Sequence, residues 1–549
     1  MTHIVVDEQR KAYRTEGPRV AIVAGAGSGK TTVLTRRVEW MLNRGVDSAS
    51  ILICTFTIAA ANELLERLDR RYLQVTTLHG WAHGELRRHH ALVGLTADFS
   101  VYDAIDADAI AMGVAEDLGL KVRQRSAVMK HPAAAQLYQQ RIREANGIDY
   151  DTLLDDLRKL LDHPEAGPAI RFRARHVLVD EAQDLDDLQH DLLEALAPET
   201  ITMVADPRQT LYSWRGARPE RFAAFCETAT VVQLTQNRRS VGEIVELGNL
   251  VFEGTDYPPM AETRTEQGIG IEFEAVGSCE SDNRWAAPIA AIRSLVARGY
   301  DPGEIAVLGR TWKALRLLRE SLEGSEIRTA YLGPDLSPWE TEAGRTIARW
   351  LALVLNPTDD NLAALVLRAA LPDCDLPMLR AESRRRHVPI LALAVELKLL
   401  PAPLHWQEPS HLHAAHLLKA VDTAWSHSRA CGWCTEKLTS PQRRTLRSFR
   451  WWWTLGRSAV DSHEFVPPHT VTLTTVHGAK GLAWRGVVLL DASDYVYKGT
   501  PDQPTDDRHT LYVAITRARD ALILTRPETH YVPPGHEMPT AWPAYLRTA

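Results

Sequence analysis

The chain has 549 residues, too many for a single hydrophobic core, so roughly three or four domains are expected. Charged residues make up 24% and the net charge is −7, which excludes a basic nucleic-acid coat and leaves room only for a local nucleic-acid groove. Six cysteines exclude a disulfide framework, no apolar run reaches membrane length and the opening residues lack the apolar segment of a secretory signal, so a soluble cytoplasmic protein with no membrane association is expected.

Gln9 comes first, in Val5-Val6-Asp7-Glu8-Gln9-Arg10, and alone it reads as solvated surface. Next, Val20-Ala21-Ile22-Val23 reads as a short buried strand. Behind it stands Ala24-Gly25-Ala26-Gly27-Ser28-Gly29-Lys30-Thr31-Thr32. Val33, Leu34, Val38, Met41 and Leu42 then fall on one face of a helix. Strand, glycine-rich loop and helix form the setting of a phosphate cradle. Glycines let the backbone wrap a phosphate with its N–H groups pointing inward, and the helix N-terminus adds partial positive charge. Lys30 can reach the β- and γ-phosphates of a nucleotide, and the Thr31 hydroxyl can ligate Mg²⁺. The strict pattern begins with Gly, where this chain has Ala24. The bland alternative, a chance glycine-rich turn, does not explain correct flanks on both sides.

Ile51-Leu52-Ile53-Cys54-Thr55-Phe56-Thr57 is a buried strand with a polar tip, and Val75-Thr76-Thr77-Leu78-His79-Gly80 is a second such unit. Strand tips of open α/β sheets bind ligands, but both can be plain strand ends. Residues 96–174 read as a helical insertion, in which Asp149 can cap a helix. Val177-Leu178-Val179 leads to Asp180-Glu181-Ala182-Gln183-Asp184. An Asp at such a tip can hold Mg²⁺, and the adjacent Glu can orient and deprotonate a water. A further strand ends in Ala205-Asp206, after which Gln209 can touch a γ-phosphate. Tyr212, Trp214 and Arg215 are an aromatic and cationic set suited to stacking on unpaired bases. Their alternative is a core aromatic pair, which interleaved Arg disfavours.

The order of these motifs resembles the UvrD/Rep family of superfamily 1 helicases. Thr55-Phe56-Thr57 and Thr77-Leu78-His79-Gly80 resemble its early DNA-contact motifs, and Asp180 to Asp184 its Walker B motif. Gln209 to Ala217 resembles its third motif. Leu234-Thr235-Gln236-Asn237-Arg238-Arg239-Ser240 resembles its fourth, which places an arginine finger at Arg239. Ile305 to Thr311 resembles a motif whose Arg, here Arg310, meets the DNA backbone, the alternative being a strand that ends in a solvated Arg. Leu353 to Asp360 is similar to the helix before the family's second insertion. Val471 to Gly481, with Thr475, His477, Ala479 and Lys480, is similar to its fifth motif, in which His477 falls on a DNA-contact position. Leu511 to Ala518 is similar to its sixth and implies a second arginine finger at Arg517. Gln9 resembles the family glutamine that reads adenine.

The chain departs from this pattern in places. Arg238 replaces a Tyr that stacks on adenine, Ala483 replaces a carboxylate near the ribose, and Ala205 replaces a Gly. The second insertion, taken as 371–466, is short and tryptophan-rich. Its Cys431-Gly432-Trp433-Cys434 lacks two further ligands for zinc, so it carries no metal assignment. The resemblance implies an α/β chain of two RecA-like P-loop domains with helical insertions. The first domain spans 1–95 and 175–232 around the insertion 96–174. The second spans 233–370 and 467–549 around the insertion 371–466. It further implies an ATP- and Mg²⁺-dependent helicase or translocase moving 3′-to-5′ on single-stranded DNA, with 3′-tailed duplex as substrate. The alternative is a DNA-stimulated sensor ATPase within a larger DNA repair or defence complex that unwinds nothing.

Overall fold

The structure is a computed structural model and describes residues 7–68, 73–122, 124–264, 267–276, 285–323, 325–332, 345, 349–350, 352–353, 356–371, 374–397, 399, 467–492 and 506–527. The chain divides into two compact units. The first takes in Met1–Thr77, Arg171–Leu336 and Asp461–Ala549, and the second Leu78–Ile170 and Ser337–Val460.

Helix α1 (Asp7–Arg14) opens the first unit. Six strands follow: β1 (Arg19–Ala24), β2 (Ile51–Thr55), β3 (Gln74–Thr77), β4 (His176–Val179), β5 (Thr200–Ala205) and β6 (Thr230–Leu234). They form one parallel sheet in the order β3-β2-β4-β5-β1-β6. Parallel strands are covered on both faces, which is why their sequences are nearly unbroken apolar runs. In β2 every residue is buried. Val20, Ile22, Ile51, Ile53, Leu178 and Val204 join Val33, Leu34, Val38 and Met41 of helix α2 (Lys30–Asn43) in one core. Parallel pairing also brings every C-terminal tip to one edge of the sheet, and each polar motif lies at such a tip.

A second parallel sheet belongs to the same unit. Its strands are β7 (Gly270–Val276), β8 (Ile305–Gly309), β9 (Thr329–Tyr331), β10 (Val471–Thr475), β11 (Trp484–Leu489) and β12 (Ala518–Pro527). They lie in the order β7-β12-β11-β8-β10-β9. One core on this sheet joins Ala306, Leu308, Val487 and Leu489 to Leu511, Tyr512 and Ile515, and reaches Ala26 and Leu211 of the first sheet's loops. The two sheets therefore share packed side chains, and the mixed α/β class with two parallel sheets is the expected one.

The second unit is helical, and its two sequence segments share one core. Ile110, Val114, Tyr138 and Ile142 pack with Leu353, Leu362, Val366 and Leu379. Tyr102 Oη donates to the fully buried Asp359 at 2.8 Å. Arg349 pairs with Asp106 at 3.0 Å, and Arg368 with Glu116 at 3.0 Å. The unit's first segment begins at Leu78, and its helix Leu78–Arg88 packs on helix Tyr150–Leu161. Asp149 caps that second helix in a capping box with Thr152, as its sequence suggested. No helix of the described residues is long and apolar enough to cross a membrane.

Candidate functional site

The loop after β1 is held from behind. Gln9 Nε2 donates to the Ser28 carbonyl at 2.8 Å, the Arg238 N–H to Gly27 at 3.0 Å and Asn237 Nδ2 to Ala26 at 2.9 Å. Within the loop the Gly25 and Ser28 N–H groups are also taken, by the carbonyls of Leu234 at 3.1 Å and Gly25 at 3.2 Å, so a phosphate would meet the N–H groups that open α2. Gly27 and Gly29 have φ of 71° and 87°, where a Cβ is strained. A Cβ at Gly27 would also stand 2.8 Å from Asn237 Oδ1. Lys30 opens α2, followed by Thr31 and Thr32. Its ammonium is buried without a hydrogen-bond partner and lies 3.3 Å from Glu181 Oε1.

Asp180 and Glu181 follow β4. Glu181 has φ of 53°, a strained value for a side chain of this kind, and this sends its carboxylate toward Lys30. Gln183 Nε2 holds the other oxygen at 2.6 Å. Burial, reinforced by Glu181, pushes the Asp180 carboxyl well above the usual carboxylate range. Burial acts upward on Glu181 too, but Lys30 and Lys480 outweigh it and keep this group ionised. A buried carboxyl starved of positive charge beside a phosphate loop fits a divalent cation. Asp180 and the Thr31 hydroxyl supply the oxygen ligands Mg²⁺ prefers, with phosphate and water for the rest.

Gln209 is buried at the end of β5's loop. Its Nε2 donates to Asp206 at 2.8 Å, and its Oε1 accepts from Arg517 Nη2 at 3.1 Å. Arg517 also donates to the carbonyls of Val513 and Leu482, both at 3.0 Å. Burial and the neighbouring Arg239 lower its guanidinium to about 9. Arg239 is fixed through its backbone, because Asn237 Oδ1 accepts from the Arg239 N–H at 2.8 Å. Lys30, Asp180, Glu181, Gln209, Arg239 and Arg517 are thus linked as neighbours, Lys30 to Glu181 and Asp180, Gln209 to Arg517, and Arg239 to Arg517 and Glu181.

Lys480, which in the sequence is only one letter of its motif, has definite partners in the structure. Its ammonium pairs with Asp184 and donates to the Gln209 carbonyl at 2.8 Å. It also lies 5.2 Å from the centre of the Tyr212 ring. Tyr212 stacks on Phe56 at 4.9 Å and meets His477 edge-on at 6.2 Å. Burial pushes the Tyr212 hydroxyl up to about 12 and the His477 imidazole down to about 4. Trp214 stands 60% exposed with the Arg215 guanidinium 4.7 Å from its ring. An exposed Trp214 rules out the core aromatic pair.

The structure gives partners to three of the residues expected along the DNA. Tyr212 is engaged, stacked on Phe56 with the Lys480 ammonium 5.2 Å from its ring centre. Arg310 is no solvated strand end, since Asp507 accepts from it at 2.9 Å and Thr510 at 3.3 Å. Thr55 spends its hydroxyl on the Thr57 carbonyl at 2.7 Å and shapes the tip. Thr77 ends β3 in the first unit, while His79 lies in the second, edge-on to Tyr150 at 5.4 Å. Among the described residues no group of three or more His, Cys, Asp or Glu is placed to hold a metal ion. Cys431 and Cys434 lie outside the described residues.

The sequence is similar to those of known proteins. The profile of the UvrD/REP helicase N-terminal domain matches residues 5–132 and 116–230, and that of the UvrD-like helicase C-terminal domain matches 470–525. The chain is 28% identical to the ATP-dependent DNA helicase UvrD1 of Mycobacterium tuberculosis, over 94% of this chain and 82% of that protein. It is 24% identical to DNA helicase II of Escherichia coli, over 95% and 84%. It is 25% identical to DNA helicase II of Haemophilus influenzae, over 98% and 86%.

Proposed function

The chain belongs to the UvrD/REP helicase family, and from that premise we propose that it couples ATP hydrolysis to 3′-to-5′ movement along single-stranded DNA and separates duplex that carries a 3′ tail. The observation that carries this reading is the Lys480 ammonium. It joins Asp184 and Gln209 of the nucleotide pocket to the ring of Tyr212, which leads to Trp214. A change at the γ-phosphate alters Gln209, and Gln209 shares a cation with the aromatic platform.

In this reading Gln9 reads the base, and Ala24 to Thr32 cradle the phosphates. Lys30 neutralises phosphate charge, exchanging its contact with Glu181 for ATP. Glu181, held ionised, orients the water and takes its proton. Mg²⁺, bound by Thr31 and Asp180, supplies charge neutralisation on the phosphates when present. Gln209 senses the γ-phosphate, and Arg239 and Arg517 stabilise the charge that develops on it. Trp214 takes unpaired bases, Phe56 and Tyr212 back that platform, and Thr55, Thr57, Thr77, Arg215, Arg310 and His477 contact the strand; His79 is a DNA contact of the second unit taken by itself.

Fluorescent strand displacement tests the reading. Duplex with a 3′ single-stranded tail should separate with ATP, and duplex with only a 5′ tail should not. Brisk ATP hydrolysis on DNA with both duplexes left intact would favour a sensor ATPase instead.

A further inference from the structure

Helix α1 touches the nucleotide pocket twice. Gln9 binds the phosphate loop at Ser28. The residue before it, Glu8, reaches elsewhere. Glu8 Oε2 accepts from the Thr235 N–H at 3.1 Å and the Gln236 N–H at 3.4 Å, and Oε1 accepts from the Thr235 hydroxyl at 2.9 Å. These bonds span 227 and 228 positions of sequence. A carboxylate taking two successive backbone N–H groups and a hydroxyl fixes the start of the turn after β6.

The rest of that turn is fixed by Asn237. Its Nδ2 donates to Ala26, while its Oδ1 accepts from the N–H groups of Arg239 and Ser240 at 2.8 and 2.9 Å. Glu8 and Asn237 thus hold residues 235–240 from the side-chain side. The Arg238 N–H on Gly27, the pairing of Gln236 and Asn237 with Ala261 and Glu262, and the Ser240 hydroxyl on Ala518 hold them too, and Arg239 leaves the turn between the Asn237 bonds. The far end of α1 is anchored too, because Arg37 Nη1 donates to the Thr15 carbonyl at 2.8 Å. The helix therefore sits as a short strut between the phosphate loop, α2 and the turn that carries Arg239.

We propose that Glu8 is a positioning residue for Arg239, so that the helix turn that reads the base through Gln9 also sets the guanidinium that stabilises the transition state. This rests on the arginine-finger reading of Arg239 given above. Glu8 touches no substrate and acts only through Thr235 and Gln236. Its loss should therefore slow turnover and leave ATP binding nearly intact.

The test measures kcat and KM for single-stranded-DNA-stimulated ATP hydrolysis by the full chain carrying Glu8→Ala, Glu8→Gln, Arg239→Ala and the first and third combined. Glu8→Ala should lower kcat by about tenfold, as a misplaced group does, with KM changed by less than about twofold. Glu8→Gln keeps acceptor oxygen for the backbone N–H groups and an amide that the Thr235 hydroxyl can accept from, and should recover most of the rate. In the Arg239→Ala background, Glu8→Ala should cost nothing further. Thr235→Val, which removes one of the three bonds, is the milder variant should Glu8→Ala fold poorly, and should show a smaller loss that also vanishes without Arg239. Full kcat in Glu8→Ala and Thr235→Val, or an equal loss with and without Arg239, overturns the proposal and leaves the finger assignment standing. Undiminished kcat in Arg239→Ala overturns both.

Discussion

At the scale of single residues, the pocket separates roles that the sequence shows only as neighbouring letters. Asp180 and Glu181 are adjacent acids, yet burial drives one toward neutrality while Lys30 and Lys480 hold the other ionised. Glu181→Gln keeps the shape and loses the base. ATP binding should persist, and hydrolysis should fall by about 10²–10⁴-fold in a steady-state assay. Wild-type turnover would remove Glu181 from the mechanism. Gln9 Oε1 is buried without a partner and can accept from the exocyclic amine of adenine. Guanine carries an acceptor there, so GTP should be disfavoured by about 1–3 kcal/mol. The resemblance puts Ala483 where the family has a carboxylate near the ribose, so on the proposed reading dATP should serve nearly as well as ATP. Comparing ATP, dATP and GTP hydrolysis checks both points. Trp214 is exposed, so Trp214→Ala should weaken single-stranded DNA binding by about 1–3 kcal/mol and leave the melting temperature unchanged. A lost melting transition would mean that the ring packs in a core.

At the scale of elements, the loops are tied to one another by buried charge. Lys480 and Asp184 are both enclosed, 296 positions apart in sequence. Lys480→Met leaves Asp184 buried and unpaired, which should destabilise the chain by about 3–5 kcal/mol in urea unfolding. Adding Asp184→Asn removes the stranded charge and should restore part of that loss. DNA stimulation of ATP hydrolysis should be weak in both variants. This scale also shows what the sequence made legible. The strands were, because parallel sheets demand apolar runs and put every polar tip on one edge. The form of the glycine-rich loop was, because glycines at positive φ and a helix start leave a local signature. The Asp149 cap was, for the same local reason. The partners of Lys480, Arg310 and Tyr212 were not, because each lies across the fold. The Tyr102–Asp359 bond joins segments 257 positions apart, so nothing local marks either residue. Glu8 was hidden by Gln9, whose meaning came from a motif and not from the helix they share.

At the scale of the molecule, stability and motion come together. His190, buried in helix Asp187–Leu196, is lowered to about 4 by burial and then by Arg221, against weaker opposition from Glu194, Asp187 and Asp191. As pH falls, the unfolded chain takes up this proton first. The contribution of His190 is complete above about pH 6.5 and is lost progressively toward pH 4. From pH 7 to pH 5 that loss is about 1–2 kcal/mol. The raised carboxyls of Asp180 and Asp184 act with the opposite sign in this range, but equally in parent and variant. His190→Leu should therefore gain on its parent by that amount in unfolding experiments at pH 5 relative to pH 7. A constant difference across the range would show that His190 is not buried neutral.

The central claim is that hydrolysis in the pocket moves the chain in one direction along a single strand. Stopped-flow fluorescence on single-stranded DNA of several lengths, labelled at either end, measures this directly. With a 5′-end label, arrival should show a delay that grows in proportion to length when ATP is present, and Glu181→Gln should abolish it. With a 3′-end label, the signal should decay without any length-dependent delay. A length-dependent delay at the 3′ end, or none at either end while ATP is hydrolysed, would contradict the account.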